Sequence, residues 1–90
     1  MKFPKKLKVG GHLYQIVFQK QTDLAENDCG KTDRTKGIIA IDADLTQSEK
    51  EVCLWHEIIH LMNSEYKEIE VEFLAQAIFA FLKDNKLLKE

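Results

Sequence analysis

The sequence has little of what marks the more specialised classes of protein. It contains one proline and four glycines among 90 residues, and no internal repeat, low-complexity tract or linker interrupts it. No apolar run approaches the roughly 20 residues of a membrane-spanning helix. Residues 1–6 lead into a short charged segment rather than into the apolar region of a signal peptide. These absences predict a cytoplasmic protein that has no membrane partner.

An excess of one charge and a disulfide framework are also lacking. The 13 basic and 15 acidic residues give a net charge of −2, so there is no electrostatic reason to expect a nucleic-acid partner. In a chain without an export signal, the two cysteines, Cys29 and Cys53, are expected to be reduced thiols. The remaining composition, 44% hydrophobic and 31% charged, predicts one small domain over residues 1–90.

The first half of the sequence shows a pattern of strands. A Gly-Gly pair at 10–11 separates short runs at 5–9 and 12–19, which indicates a β-hairpin. The apolar run at 38–41 indicates a third strand, whereas the polar residues 22–36 are expected to form a long irregular segment, of the kind that is often functional. The predicted class is α+β, with a small, mainly antiparallel three-stranded sheet covered by a two-helix hairpin.

Two helices are predicted in the second half. Thr46 and Glu49 have the spacing of a capping box, so a helix should begin near Thr46, and neither Gly nor Pro interrupts it before Asn63. After a short connection, a second helix is predicted over residues 68–88, antiparallel to the first. The apolar arc that we expect to face the core on this second helix contains Phe73, Leu74, Ala77, Ile78 and Phe81.

Residues 56–60 read His-Glu-Ile-Ile-His, which matches the zinc-binding pattern H-E-x-x-H. On a helix, His56 and His60 lie one turn apart on the same face, where they can hold one zinc ion, and Glu57 can reach a water molecule on that ion. At about 100° per residue, the two histidines fall beside the apolar stripe of the helix. The pattern therefore predicts one zinc ion per chain.

A catalytic zinc site needs a third protein ligand, which is commonly His, Glu or Asp. Glu70 falls within the predicted apolar arc, where a carboxylate is unfavourable unless a metal ion compensates its charge. It is also expected about one turn into the second helix, roughly level with His60. We predict Glu70 as the third ligand, with Glu72 and Glu68 as the alternatives if the helix begins in a different phase.

Two segments of the second half carry a family resemblance. Residues 55–60 read Trp-His-Glu-Ile-Ile-His, and residues 70–75 read Glu-Val-Glu-Phe-Leu-Ala. They resemble the active-site helix and the following glutamate helix of ImmA/IrrE-type metallopeptidases and related small phage-encoded zinc peptidases. The resemblance implies two histidine ligands, a glutamate ligand and a glutamate base, and a protein partner from a phage or mobile element. Residue by residue, these roles fall on His56, His60, Glu70 and Glu57.

These residues predict peptide hydrolysis assisted by zinc. The metal would lower the pKa of a water molecule, and Glu57 would take its proton and pass it to the leaving amine. Tyr66 is a candidate donor to the oxyanion of the tetrahedral intermediate, or else packs its ring on the turn. The strand at 38–41 would align an extended peptide if it lies at the sheet edge, although its apolar content fits a buried strand equally well.

Two other interpretations of the motif stay open. In the first, His56 and His60 satisfy hydrogen bonds of the core and Glu57 is a solvated helix residue. In the second, zinc binds without turnover and stabilises a small interaction module of a phage. The predicted function is a zinc-dependent endopeptidase acting on a protein or peptide, with the inactive zinc-stabilised module as the alternative.

Overall fold

The computed structural model describes residues 2–20 and 29–88, which form a mixed four-stranded sheet and two helices. The predicted α+β class is confirmed. Within the described ranges, neither helix combines the length and the apolar character that crossing a membrane requires. The elements are β1 (Lys6–Val9), β2 (His12–Gln19), β3 (Gly30–Asp33), β4 (Ile38–Asp42), α1 (Gln47–Met62) and α2 (Glu68–Asp84).

β1 and β2 form the predicted antiparallel hairpin. Gly10 and Gly11 turn the chain with φ angles of 59° and 83°, in the left-handed region that glycine adopts without steric cost. Along β2 the side chains then alternate between core and solvent, with Tyr14 and Ile16 buried and Leu13 exposed. The hairpin therefore supplies one half of the sheet surface on which α1 packs.

The sheet differs from the predicted one in the number and direction of its strands. Its order is β1-β2-β4-β3, with β2 parallel to β4 and the other neighbours antiparallel, so the expectation of three mainly antiparallel strands is wrong. The extra strand, β3, lies within the segment predicted to be irregular, of which residues 22–28 are outside the described ranges. β3 lies at the sheet edge and is held there by backbone pairing with β4. Because this pairing does not require buried side chains, the sequence of β3, Gly-Lys-Thr-Asp, can be polar.

β4 occupies the interior of the sheet, between β2 and β3. Ile39 and Ile41 have no exposed surface. A strand that is covered so completely reads in sequence as a continuous apolar run. Because both sides of β4 are paired, a substrate cannot add to it, and of the two interpretations of residues 38–41 the buried strand is the correct one. Among the described strands, the open edge on this side of the sheet belongs to β3.

α1 begins and ends close to the predicted residues. The amide of Glu49 donates to Thr46 Oγ1 at 3.2 Å, and the amide of Thr46 donates to Glu49 Oε1 at 3.0 Å, so both halves of the capping box form. At the other end, the amide of Asn63 donates to the carbonyl of Ile59 at 3.0 Å. The helix that carries the histidines is thus fixed by local signals.

α1 packs between the sheet and α2. On one side, Cys53, Leu54 and Ile58 join the core that the strands form. Between the two packed sides, His56 and Glu57 are only 8% and 7% exposed, so these polar side chains are buried. The cluster that joins α1 to α2 consists of Val52, Ile59, Val71 and Ala75.

α2 packs through a face that overlaps the predicted one only in part. Val71 and Ala75 have no exposed surface, whereas Phe73 and Phe81, within the predicted arc, are 72% and 62% exposed. Small side chains at the contact allow two helices to approach closely.

Leu74 and Ile78, also within the predicted arc, pack against the cluster that joins α1 to α2, so the predicted arc is correct in part. Its exposed members follow from α2 being apolar on two sides, because hydrophobicity alone does not decide which side packs. The helix ends at Asp84, four residues before the predicted end.

Candidate metal centre

The side chains of two helices converge on one point. The Nε2 atoms of His56 and His60, one turn apart on α1, are 3.2 Å from each other. From α2, Oε2 of Glu68 lies 3.1 Å from Nε2 of His60, and Oε1 of Glu68 contacts Nε2 of His56. The three side chains offer one ligand atom each within 4.8 Å of one another. The arrangement therefore gives two nitrogens and one oxygen that face a common position.

Two of the three separations between these atoms match those of a tetrahedral metal site. With metal–ligand bonds of about 2.0–2.1 Å, the ligand atoms of a tetrahedral zinc site are roughly 3.3 Å apart. The separations of 3.2 Å between the two Nε2 atoms and 3.3 Å between Nε2 of His60 and Oε1 of Glu68 are close to this value, whereas Oε1 of Glu68 lies closer than this to Nε2 of His56. Two imidazole nitrogens and a carboxylate oxygen also match the ligands that zinc prefers in catalytic sites. The residues present therefore fit zinc.

Glu70, the predicted third ligand, lies away from this point. Its side chain is exposed, and Oε1 accepts a hydrogen bond from the amide of Lys67 at 2.8 Å, so Glu70 caps the start of α2. On the helix, Glu70 is about 160° from Glu68. The choice of Glu70 depended on the wrong phase of α2. With Val71 facing α1, it is the alternative Glu68 that turns toward the histidines.

Glu57 is buried beside the three converging side chains. Its Oε1 accepts a hydrogen bond from Thr32 Oγ1 of β3 at 2.8 Å. Burial raises the pKa of the Glu57 carboxyl above its usual value, and the hydrogen bond from Thr32 and the charge of His56 lower it by less. Glu57 therefore binds a proton more readily than an exposed glutamate does.

Glu72, the other alternative, contacts the second nitrogen of His56. Its Oε2 lies 2.8 Å from Nδ1, and Gln76 Nε2 donates to its Oε1 at 3.0 Å. Burial lowers the pKa of His56, but the hydrogen bond with Glu72 and the charge of Glu68 outweigh it, so the pKa is raised. Slight burial raises the pKa of Glu68, whereas its contacts with the two histidines lower it by more. α2 thus presents carboxylates to both nitrogens of one ring.

An open cleft of about 880 Å³ contains the converging side chains. Its volume is within the usual range for binding sites. Gly30 borders it, and a Cβ at this residue would lie 2.6 Å from the carbonyl oxygen of Ala40 and 2.8 Å from Cys53 Sγ. Glycine therefore allows β3 to lie close against α1. The lining residues are Cys29, Gly30, His56, Glu57, His60, Glu68, Ile69 and Glu72.

Comparison with known protein families, curated proteins and solved structures finds no match. The resemblance to ImmA/IrrE-type metallopeptidases stays a prediction that depends on residues 55–60 and 70–75. In the second of these segments, Glu70 does not lie where the resemblance requires a ligand. Glu68, two residues earlier, lies there instead.

Two residues that contact α1 at the site, Thr32 and Arg34, were not predicted. Thr32 donates to Glu57, and Nη2 of Arg34 donates to the carbonyl of His60 at 3.1 Å, near the end of α1. Such a contact satisfies a carbonyl that has no partner within the helix. Both residues belong to the polar segment 22–36. The length of that segment was the signal in the sequence that pointed to a function.

Tyr66, the predicted oxyanion donor, lies on the connection between the helices and is 40% exposed. It is not among the described side chains that line the cleft. This placement favours the other interpretation, in which the ring packs on the turn.

Cys29 and Cys53 are free thiols that contact each other; Cys29 lines the cleft, whereas Cys53 is buried behind it. A hydrogen bond with Cys53 lowers the pKa of Cys29, and burial offsets only part of this effect. The same hydrogen bond, together with burial, raises the pKa of Cys53. Cys29 is therefore the more acidic thiol of the pair.

Proposed function

We propose that this chain is a zinc-dependent metallopeptidase that hydrolyses a protein or peptide. One observation carries the proposal: the donor atoms of His56, His60 and Glu68 converge in an open cleft, and the buried carboxylate of Glu57 lies beside them. Three protein ligands leave a coordination position for water or substrate, as in catalytic zinc sites.

Four residues of the cleft and the neighbouring Thr32 have roles in this reaction. His56, His60 and Glu68 would hold the zinc ion. When bound, zinc lowers the pKa of a water molecule and polarises the scissile carbonyl. Glu57 takes the proton from the attacking water and passes it to the leaving amine, an exchange that its raised pKa favours. Thr32 keeps one oxygen of the Glu57 carboxylate in place through its hydrogen bond.

β3 offers a place for the substrate. It is the outer strand on its side of the described sheet, its first residue Gly30 borders the cleft, and Thr32 contacts the proposed base. An extended peptide that pairs with the open edge of β3 would gain main-chain hydrogen bonds close to Glu57. We therefore assign strand addition to β3 instead of β4. A protein partner from a phage or mobile element stays the expectation that the family resemblance implies.

The function is tested by replacing the base and measuring zinc and hydrolysis separately. Glu57→Gln keeps the shape of the side chain but cannot accept the proton, so hydrolysis of a peptide library should fall by about 10²–10⁴-fold. Zinc content, measured by elemental analysis, should stay at one ion per chain. Glu70→Gln is the matched control on an exposed cap, and it should retain both properties.

Two results would contradict the proposal. Unchanged hydrolysis in Glu57→Gln would exclude Glu57 as the base. If the wild type and His56→Ala contain equally little zinc, the metal site itself is wrong. Glu68→Gln should lower the affinity for zinc whereas Glu70→Gln should not, which tests the ligand that the phase of α2 selects.

A zinc-stabilised interaction module is the second candidate, and the outer face of α2 favours it. Ile69, Phe73 and Phe81 are 77%, 72% and 62% exposed, and exposed apolar side chains of this size are common at contact sites. A metal ion held by both α1 and α2 would fix this face in position. Loss of folding on chelation, with no hydrolysis of any library peptide, would support the module over the enzyme.

A further inference from the structure

Glu72 approaches His56 from the side of the ring opposite the converging atoms. Its Oε2 is 2.8 Å from Nδ1, whereas Glu68 and His60 approach Nε2. One imidazole ring cannot direct both nitrogens at the same metal ion, because their lone pairs point in divergent directions. Glu72 is therefore not a further member of the ligand set that contains Glu68.

The contact at Nδ1 decides which nitrogen of His56 can bind a metal. A neutral imidazole carries one proton, and an ionised carboxylate can only accept a hydrogen bond. Carboxylates contact both nitrogens of the ring, Glu72 at Nδ1 and Glu68 at Nε2. If a metal ion took the Nε2 side, where Glu68 would be its ligand, Glu72 would hold the single ring proton on Nδ1 and leave the lone pair of Nε2 for the metal. Without this partner, the proton can occupy Nε2 and block coordination.

The contact contributes little as an ion pair. The side chain of Glu72 is 48% exposed, and ion pairs with an exposed partner add little to stability. Its geometry is nevertheless constrained at both oxygens, because Gln76, one turn further along α2, donates to Oε1 at 3.0 Å. The contact therefore affects the orientation of the His56 ring and the choice of the nitrogen that carries its proton. It affects the packing of α2 against α1 less.

We propose that Glu72 is a positioning residue that directs Nε2 of His56 at the zinc ion, and that Gln76 holds Glu72 in place. Carboxylates at the outer nitrogen of a histidine ligand raise its basicity, and their removal typically costs 10–100-fold in metal affinity. This inference rests on the proposed zinc site but does not require turnover. It also gives α2 two functions on one face: Glu68 binds the metal, and Glu72 prepares the ligand that α1 supplies.

The experiment compares zinc affinity at about pH 8, above the usual pKa of histidine. The dissociation constants of wild type, Glu72→Gln, Glu72→Ala and the control Glu70→Gln are measured by competition with a chromophoric chelator. We expect a loss of about 10–100-fold for both Glu72 variants and less than about twofold for Glu70→Gln. Gln76→Ala should weaken binding in the same direction, by less than Glu72→Ala.

Two further measurements separate positioning from other roles. The visible spectrum of the Co²⁺-loaded Glu72 variants should match that of the wild type at saturation, whereas Glu68→Gln should change it because a ligand is lost. The urea midpoint of zinc-free Glu72→Gln should equal that of the wild type at about pH 8. A changed Co²⁺ spectrum would make Glu72 a ligand, and a lowered midpoint would make it a structural contact. Either result overturns the proposal.

The failure of this inference can be distinguished from failure of the proposed function. If the wild type binds zinc and the Glu72 variants bind it equally well, only the positioning role is wrong. If the wild type does not bind zinc more tightly than His56→Ala, the metal site is wrong and the inference falls with it.

Discussion

The phase of α2 decides which glutamate faces the histidines, and two truncations at residues two positions apart on this helix test it. Val71 has no exposed surface and packs against α1, whereas Phe73 is 72% exposed. Val71→Ala removes two methyl groups, and Phe73→Ala removes an entire ring. If the structure has the correct face of α2 against α1, the smaller truncation must reduce stability more than the larger one.

The magnitudes follow from burial. The two methyl groups of Val71 contribute about 0.8 kcal/mol each by transfer from water. The cavity that they leave adds to this loss because the neighbours relax only in part. Together the expected decrease is about 2 kcal/mol, or roughly 10 °C in Tm for a domain of this size. For Phe73→Ala, the small buried area lost and the higher helix propensity of alanine nearly cancel, so we expect a change within about 0.5 kcal/mol.

The assay is urea unfolding of both zinc-free variants, followed by far-ultraviolet circular dichroism. Similar m-values would show that both variants unfold between the same native and unfolded states, so that their free energies of unfolding can be compared. A larger loss for Phe73→Ala than for Val71→Ala would refute the reasoning. The face predicted from sequence would then be the one that packs, and Glu70 would replace Glu68 as the glutamate turned toward α1.

Two further predictions concern pH. Thr32→Val removes a hydrogen bond that lowers the pKa of Glu57, so the acidic limb of the kcat/KM profile should move to higher pH while zinc affinity stays constant; an unmoved limb would contradict the role of Thr32. In zinc-free protein, contact with carboxylates raises the pKa of His56, so the resulting stabilisation is complete below about pH 6.5 and is lost as the pH rises through the folded value. Urea unfolding should separate wild type from Glu72→Gln more at about pH 5.5 than at about pH 8.5, and a gap independent of pH would contradict this.

The sequence was sufficient for α1 because every local signal agrees there. The capping box at Thr46 and Glu49 fixes its start, and the unbroken run to Asn63 fixes its length. Once the segment is a helix, its periodicity alone brings His56 and His60 together. This half of the site depends on contacts within one helix, which is why it could be predicted.

The other half depends on how separate elements pack, and there the sequence was ambiguous. β3 is polar because its pairing with β4 uses backbone groups, and these carry no sequence pattern. α2 is apolar on two sides. The predicted arc was centred on the larger side chains, Phe73 and Phe81, which are exposed, whereas the smaller Val71 and Ala75 are buried. A rotation of the helix by less than half a turn exchanges Glu70 for Glu68 and brings Glu72 to His56.

Glu57 is the residue that distinguishes a catalytic site from a structural one. A zinc site that serves only to hold α1 against α2 is normally closed by four protein ligands, whereas the cluster among the described residues contains three, His56, His60 and Glu68. Such a site has no use for a further buried carboxylate, and burying one is unfavourable. The raised pKa of Glu57 expresses that cost, and Thr32 offsets it only in part. Side chains that reduce the stability of the fold are characteristic of functional sites, where the reaction requires them. The buried carboxylate therefore favours the peptidase over the inactive module.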